Sequence, residues 1–263
     1  MLLTVDAGNT NIAFAIMDGD EIKSRYRLIT KTTRTSDEFG FFIMHFLQSS
    51  EVTPGQIEDV IISSVVPKLM YALTSAIIKY VHKKPIVISP DLKTGITVVS
   101  ENRNSVGADR IVNTAWAHHT LHRSAIIVDF GTATTFDYVS AEGEFKYVVI
   151  APGLGISAEA LASLTAKLPE IEIRKPASVL GTNTVQGMQA GVVYGYIGAV
   201  EYIIRQMKKE LGDPECMVVA TGGLGKVVSS ETDEIDAYDP DIAYKGMKII
   251  YDLNREALHD PGL

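Results

Sequence analysis

The sequence predicts an α/β protein of two related lobes, each built on a mixed sheet flanked by helices. Three observations predict it. An apolar run, Leu2 to Asp6, ends in aspartate and breaks into Gly8-Asn9-Thr10 before Ile12 to Ile16 resume it, which reads as strand, turn, strand. The same grammar returns about half a chain later in AIIVDFGTATTFD, from Ala125 to Asp137. In both halves three strand-like runs come first and helical periodicity follows, with the boundary placed between 115 and 116, so that the lobes are 1–115 and 116–263. Two hairpins of one design imply a nucleotide held between two lobes.

At the first turn the backbone N–H groups of Gly8 to Asn11 could face an anion, and Asp6 at the strand end could hold a metal. The alternative, that Asp6 and Asn9 serve only local turn hydrogen bonds, stays open on these residues alone. Glu21 to Thr30 alternates as a third, more exposed strand. Thr35-Ser36 with Asp37 and Glu38 caps a helix whose Phe39, Phe42, Ile43, Phe46 and Leu47 share a face. Pro54-Gly55 marks a loop, Asp59 to Val65 a buried strand, Pro67 a helix start, and Pro85 to Ile88 another strand. Lys93 to Ser105 is polar and irregular. It leads to Gly107-Ala108-Asp109-Arg110 at the head of a helix running to Leu121. There Asp109 reads either as a helix N-terminal charge with Arg110 in a surface pair, or as a general base beside a cationic clamp for a carboxylate or phosphate.

Strands are expected at 125–130, 133–139 and 144–150, followed by a Pro152-Gly153-Leu154-Gly155 turn into a helix with Leu161 and Leu164 on one side. Lys167 to Thr182 reads as a surface excursion. From Thr184 to Leu211 a long helix gathers Gly187, Ala190, Gly191, Tyr194, Gly195 and Gly198 on one face, suited equally to close packing on its own sheet and to a dimer helix. Met217 to Thr221 with Gly222-Gly223 is a last strand-to-glycine junction past which a base and ribose could slide, and Asp239 to Leu258 closes the chain as a surface helix.

Composition narrows the function class. The chain has 263 residues, 46% of them hydrophobic, and a formal net charge of -8 with a pI near 5.3, without the dense basic cluster of a nucleic-acid binder. No apolar run suits a signal peptide or a membrane span. The single cysteine, Cys216, suits a reducing cytoplasm and reads as a buried, inert hydrophobe.

Asp6-x-Gly-Asn-Thr, Gly107-Ala-Asp-Arg, Asp129-Phe-Gly-Thr-Ala-Thr-Thr-Phe-Asp and Ala220-Thr-Gly-Gly, in this order, resemble the type III pantothenate kinases of the acetate and sugar kinase/Hsp70/actin superfamily. The resemblance covers nearly the whole chain. It implies two ribonuclease-H-like, actin-like ATPase lobes with the active site in the cleft between them, and ATP-dependent phosphorylation of pantothenate, the first step toward coenzyme A. It implies that Asp6, Ala7, Gly8, Asn9, Thr10, Asn11, Ile12 and Ala13 form the first phosphate loop, with Asp6 on Mg²⁺. Thr132 belongs by resemblance to the second loop, Gly222 and Gly223 to the adenosine turn, and Asp129 to a monovalent cation, K⁺ or NH₄⁺. Asp109 matches the general base. Gly107, Ala108, Asp109 and Arg110 match the pantothenate pocket, to which Thr184 contributes across a homodimer interface. Expected partners are pantothenate and ATP, with no nucleic acid and no membrane.

Three stretches depart from the family pattern. Ser100 to Arg103 replaces a Tyr and an Asn-Pro, Val148-Val149 a pair of glycines, and Thr182 a common Lys or Arg. Another phosphotransferase of the superfamily, or a non-catalytic nucleotide-binding regulator, are the competing readings.

Overall fold

The computed structural model describes residues 1–30, 33–89, 91–99 and 106–258; the departure at Ser100 to Arg103 lies outside them. In the first compact unit, β1 (Leu2–Ala7), β2 (Asn11–Asp18) and β3 (Glu21–Ile29) form an antiparallel meander. On the other side of β1, β4 (Asp59–Ser64) and β5 (Ile86–Val87) run parallel to it, so the sheet order is β3-β2-β1-β4-β5. Side chains alternate across this sheet, and each face has its own helices. Leu3, Val5 and Ala7 pack with Phe39, Ile43 and Phe46 of α1 (Ser36–Ser49) and Leu69 and Leu73 of α2 (Pro67–Ala76). The expected cap of α1 forms as a capping box, with Thr35 Oγ1 accepting from the Glu38 N–H and the Glu38 carboxylate accepting from the Thr35 N–H at 2.7 Å.

The opposite face carries Leu2, Met17 and Ile61. It is covered by Ile111, Val112 and Ala115 of α3 (Ala108–Leu121) and by Met247 and Ile250 of the closing helix. The irregular stretch before α3 includes a two-residue strand, β6 (Thr97–Val98).

The second unit spans Thr120–Asp241 and repeats this plan. β7 (Ala125–Phe130), β8 (Ala133–Val139) and β9 (Glu144–Pro152) form the meander, and β10 (Met217–Thr221) and β11 (Ala237–Tyr238) run parallel beside β7. Within this unit the strand order β9-β8-β7-β10-β11 matches that of the first unit's five strands. One face packs Val128, Phe136 and Val218 against Leu154 of α4 (Leu154–Ser163) and Val193, Ile197 and Ile204 of α5 (Thr184–Leu211). A short α6 (Gly225–Ser229) follows β10. The repeated mixed sheets and flanking helices are the ribonuclease-H-like architecture.

Four local differences from the sequence reading have physical causes. The first unit comprises Met1–His119 and the segment from Ile242 onward, so α7 (Ile242–Leu258) belongs with the first sheet rather than with a lobe beginning at 116. Its apolar stripe of Tyr244, Met247, Ile250 and Tyr251 needs a sheet face, and the α3 face of the first sheet supplies one. Leu161 and Leu164, expected on one side of the helix, are both exposed, and Leu164 stands just past the end of α4. β11 is too short to have a period of its own. On the small-residue face of α5 the glycines do not pack on their own sheet, since a Cβ on Gly187, Gly191, Gly195 or Gly198 would meet nothing within 4 Å, whereas Ala190 is buried. Cys216 is buried, and burial pushes its thiol up to about 11, which keeps it protonated and unreactive at neutral pH. Among the described residues no helix is long and apolar enough to cross a membrane.

The loop ahead of β6 is tied to α7 through Lys93, while His119 reaches the Thr94 carbonyl at 3.3 Å. Buried Asn254 of α7 accepts the Lys93 N–H at 3.0 Å and donates to the Lys93 carbonyl at 2.8 Å and to the Ile250 carbonyl at 2.7 Å. Asn254→Ala strips these partners at once, and is expected to lower stability by about 1–3 kcal/mol, read as a fall in the urea unfolding midpoint.

Candidate active site

In the first unit the candidate residues lie where β1, β4 and α3 end or begin. Asp6 is half-buried near the end of β1, opposite Ala13 on β2 and Ser63 on β4. Ala7 and Ile12 are fully buried core side chains, so only their backbone can serve a ligand. The Gly8 N–H, expected to face an anion, instead donates to the Asn11 carbonyl at 3.0 Å, and the Gly8 carbonyl accepts from Thr30 Oγ1 at 2.8 Å. The turn consumes that donor to close itself. Its tip, Asn9 and Thr10, is exposed.

Asp109 stands in the first turn of α3, half-buried, with its Oδ1 accepting the Arg110 N–H at 2.8 Å. Burial raises its carboxyl above the ordinary 3.8, while that N–H and the Arg110 guanidinium pull it down. The position depends on Gly107. A Cβ there would lie 2.4 Å from Asp109 Oδ1 and 3.2 Å from Val65 Cγ1. Val65 in turn donates its N–H to the Ala7 carbonyl at 3.1 Å. Asp109 and the Asp6 turn are thus linked through three residues, Gly107, Val65 and Ala7. Arg110 is half-buried beside them.

In the second unit Asp129 ends β7 half-buried, and Gly131 donates its N–H to the Ala133 carbonyl at 3.1 Å, so this turn too consumes its glycine donor. Thr132 is exposed, and its carbonyl accepts the Gly153 N–H at 3.1 Å, which joins the hairpin to the entry of α4. Gly222 has φ +88°, and a Cβ on it would lie 2.6 Å from Asp129 Oδ1. Its carbonyl accepts the Tyr238 hydroxyl at 3.0 Å. Gly223 beside it is exposed with open space where a side chain would be. Asp129 and Gly222 therefore meet, with Tyr238, which the sequence reading did not single out, bonded to Gly222, while Thr132 is tied to Gly153. Tyr238 lies in a two-residue strand far along the chain, and no local pattern marks it.

Thr184 is exposed at the start of α5, behind the Asn183 cap whose Oδ1 accepts the Gln186 N–H at 2.9 Å. Thr182, where a basic residue is common, donates its hydroxyl to Gln186 Oε1 at 2.8 Å and so braces the helix entry. Val148 is exposed and Val149 packs partly into the core.

The raised Asp109 carboxyl has a testable consequence for stability. Between its ordinary and folded values the native chain holds a proton that the unfolded chain has released, so Asp109's contribution falls as pH rises through that window. Asp109→Asn removes this penalty. Urea midpoints compared from pH 4 upward are expected to move in favour of the variant as pH rises.

The chain has close relatives by sequence. The type III pantothenate kinase family pattern matches residues 2–206. The chain is 47% identical over 251 residues to the type III pantothenate kinase of Agathobacter rectalis, covering 95% of this chain and 96% of that one. It is 46% identical over 254 residues to that of Bifidobacterium longum strain DJO10A, covering 97% and 99%. Among solved structures, ethanolamine utilization protein EutJ from Carboxydothermus hydrogenoformans aligns with a TM-score of 0.55 at 13% identity, over 94% of this chain and 89% of that one, which bears on the fold alone. With its family pattern matched over most of its length and its relatives nearly half identical from end to end, the chain belongs to the type III pantothenate kinase family.

Proposed function

We propose that the chain transfers the terminal phosphoryl group of ATP to the hydroxyl of pantothenate, with the work divided between the two hairpins and Asp109. The observation that carries this reading is the held carboxylate of Asp109, kept beside the Asp6 turn by the bare backbone of Gly107. Phosphoryl transfer asks mainly for positioning and charge neutralisation, with a base to orient the accepting hydroxyl. Asp109 takes the proton of that hydroxyl. Burial suits it to the task, since a base works best when its carboxyl titrates closer to the working pH than a solvated aspartate does. Arg110 offers a guanidinium to the pantothenate carboxylate or to the transferring phosphate. The exposed tips at Asn9-Thr10 and Thr132 take the phosphates, and the open backbone at Gly222-Gly223 takes the adenosine.

The donor set fits the cations of this chemistry. Among the described residues no three His, Cys, Asp or Glu groups gather as a cage. A single carboxylate, Asp6, suits magnesium, which commonly binds through one or two carboxylates, substrate phosphates and water. It would neutralise phosphate charge there. Asp129, with Gly222 leaving room at its Oδ1, suits a monovalent cation, K⁺ or NH₄⁺, in the second unit. Biosynthetic work of this kind, with a lone buried thiol, fits the reducing cytoplasm.

The same reading makes the chain a homodimer through α5, whose four open glycines permit close helix approach, with exposed Val185 beside Thr184 and exposed Leu180 in the segment ahead of the helix. Thr184 then completes the pantothenate pocket of the partner.

Steady-state ADP release with pantothenate, ATP, Mg²⁺ and K⁺ tests the assignment. Asp109→Asn is expected to lower kcat by about 10²–10⁴-fold. Gly107→Ala, which displaces the carboxylate without removing it, is expected to cost about 10²-fold in kcat/KM with little change in folding. Pantothenate-independent ADP release would instead indicate another phosphotransferase, and nucleotide binding without turnover a regulator. Gly195→Arg is expected to convert dimer to monomer on sizing chromatography and to abolish pantothenate turnover. A fully active monomer would refute the role given to Thr184.

A further inference from the structure

Ser63 lies one residue before the end of β4, is 1% exposed, and has an Oγ without a hydrogen-bond partner among the described residues. A buried hydroxyl left in this state has lost its water and gained nothing in exchange. Such a group in a native fold calls for a water or an ion.

Its surroundings identify which. The parallel register of β1 and β4 sets Ser63 directly beside Asp6, on strands about 4.8 Å apart. Ile61, two residues earlier, belongs to the core under α3 and α7, whereas Ile62 belongs to the core on the opposite face, so alternation turns Ser63 toward α3. Val65, two residues later, is the side chain that a Cβ on Gly107 would approach at 3.2 Å. The hydroxyl therefore shares a sheet face with its register neighbour Asp6 and with Val65, which borders the turn that carries Asp109.

We propose that Ser63 is a positioning residue of the phosphoryl-transfer site, its hydroxyl hydrogen-bonding a water of the magnesium hydration shell held by Asp6. The inference rests on the reading that Asp6 holds magnesium. Magnesium gives up its waters reluctantly, so a site with one protein carboxylate must orient waters by outer partners. A serine hydroxyl both donates and accepts, which suits a coordinated water whatever its orientation. Among the described residues Ser63 Oγ bonds to neither strand nor helix, whereas its neighbour Ser64 accepts the Val66 N–H at 3.1 Å.

Calorimetry of ADP binding in Mg²⁺ and in EDTA, with urea midpoints, separates the outcomes for Ser63→Ala, Ser63→Thr and Asp6→Asn. Ser63→Ala is expected to weaken binding in Mg²⁺ by about 10- to 100-fold, to leave binding in EDTA unchanged, and not to lower the urea midpoint. Ser63→Thr, which retains the hydroxyl, restores most of the affinity. Wild-type Mg²⁺ dependence in Ser63→Ala, or an equal loss in Mg²⁺ and in EDTA, overturns the proposal. If Asp6→Asn loses the Mg²⁺ dependence and Ser63→Ala keeps it, this inference alone fails. If Asp6→Asn keeps it, the assignment of magnesium to Asp6 fails, and this one with it.

Discussion

Two candidate carboxylates, Asp109 and Asp129, each stand where another residue's side chain is missing. A Cβ on Gly107 would come within 2.4 Å of Asp109 Oδ1, and a Cβ on Gly222 within 2.6 Å of Asp129 Oδ1. Packing an acid against backbone instead of side chain solves a specific problem. An apolar side chain would desolvate the carboxylate and block its approach, whereas bare backbone confines it and leaves room for a ligand. At Gly222 the solution also uses a φ of +88°, which L side chains rarely adopt, and the Tyr238 hydroxyl fixes the resulting carbonyl at 3.0 Å.

Asp109 shows how finely such a site is balanced. Burial drives its carboxyl toward the neutral form, and the Arg110 N–H and guanidinium drive it back. A helix start supplies both sides of that balance at once, since the first turn exposes backbone donors while α3 is pressed into the core by Ile111, Val112 and Ala115. The neighbouring β1 turn spends its glycine N–H on the Asn11 carbonyl. Rigidity of the loop is obtained by giving up one donor that a phosphate could have used.

Much of the fold was legible because its signals are local. The two Asp-x-Gly hairpins announce themselves by strand endings, and the strands at 125–130 and 133–139 and the helix at 184–211 stand where periodicity puts them. The candidate residues of the first unit, Asp6 and Asp109, were legible as motifs. What escaped are the terms set by distant partners. Nothing near Gly107 says that its hydrogen faces a carboxylate, nothing near Tyr238 says that it reaches Gly222, and nothing in the stripe of α7 says which sheet it covers. Ser63 reads in sequence as one more residue in a buried strand. Only the register with Asp6 gives it a neighbour.

The placement of α7 also orders events in time. The second unit is one continuous segment, Thr120–Asp241, with every strand and helix of its core in hand once that segment has been synthesised. The first unit is not. One face of its sheet needs Met247 and Ile250, and the Lys93 loop needs Asn254, all near the end of the chain. Domains ordinarily fold from the N-terminus as they are made. Here Asp6 and the rest of the first sheet must wait for α7, which follows the whole second unit, and until then the nascent chain carries a partly covered sheet.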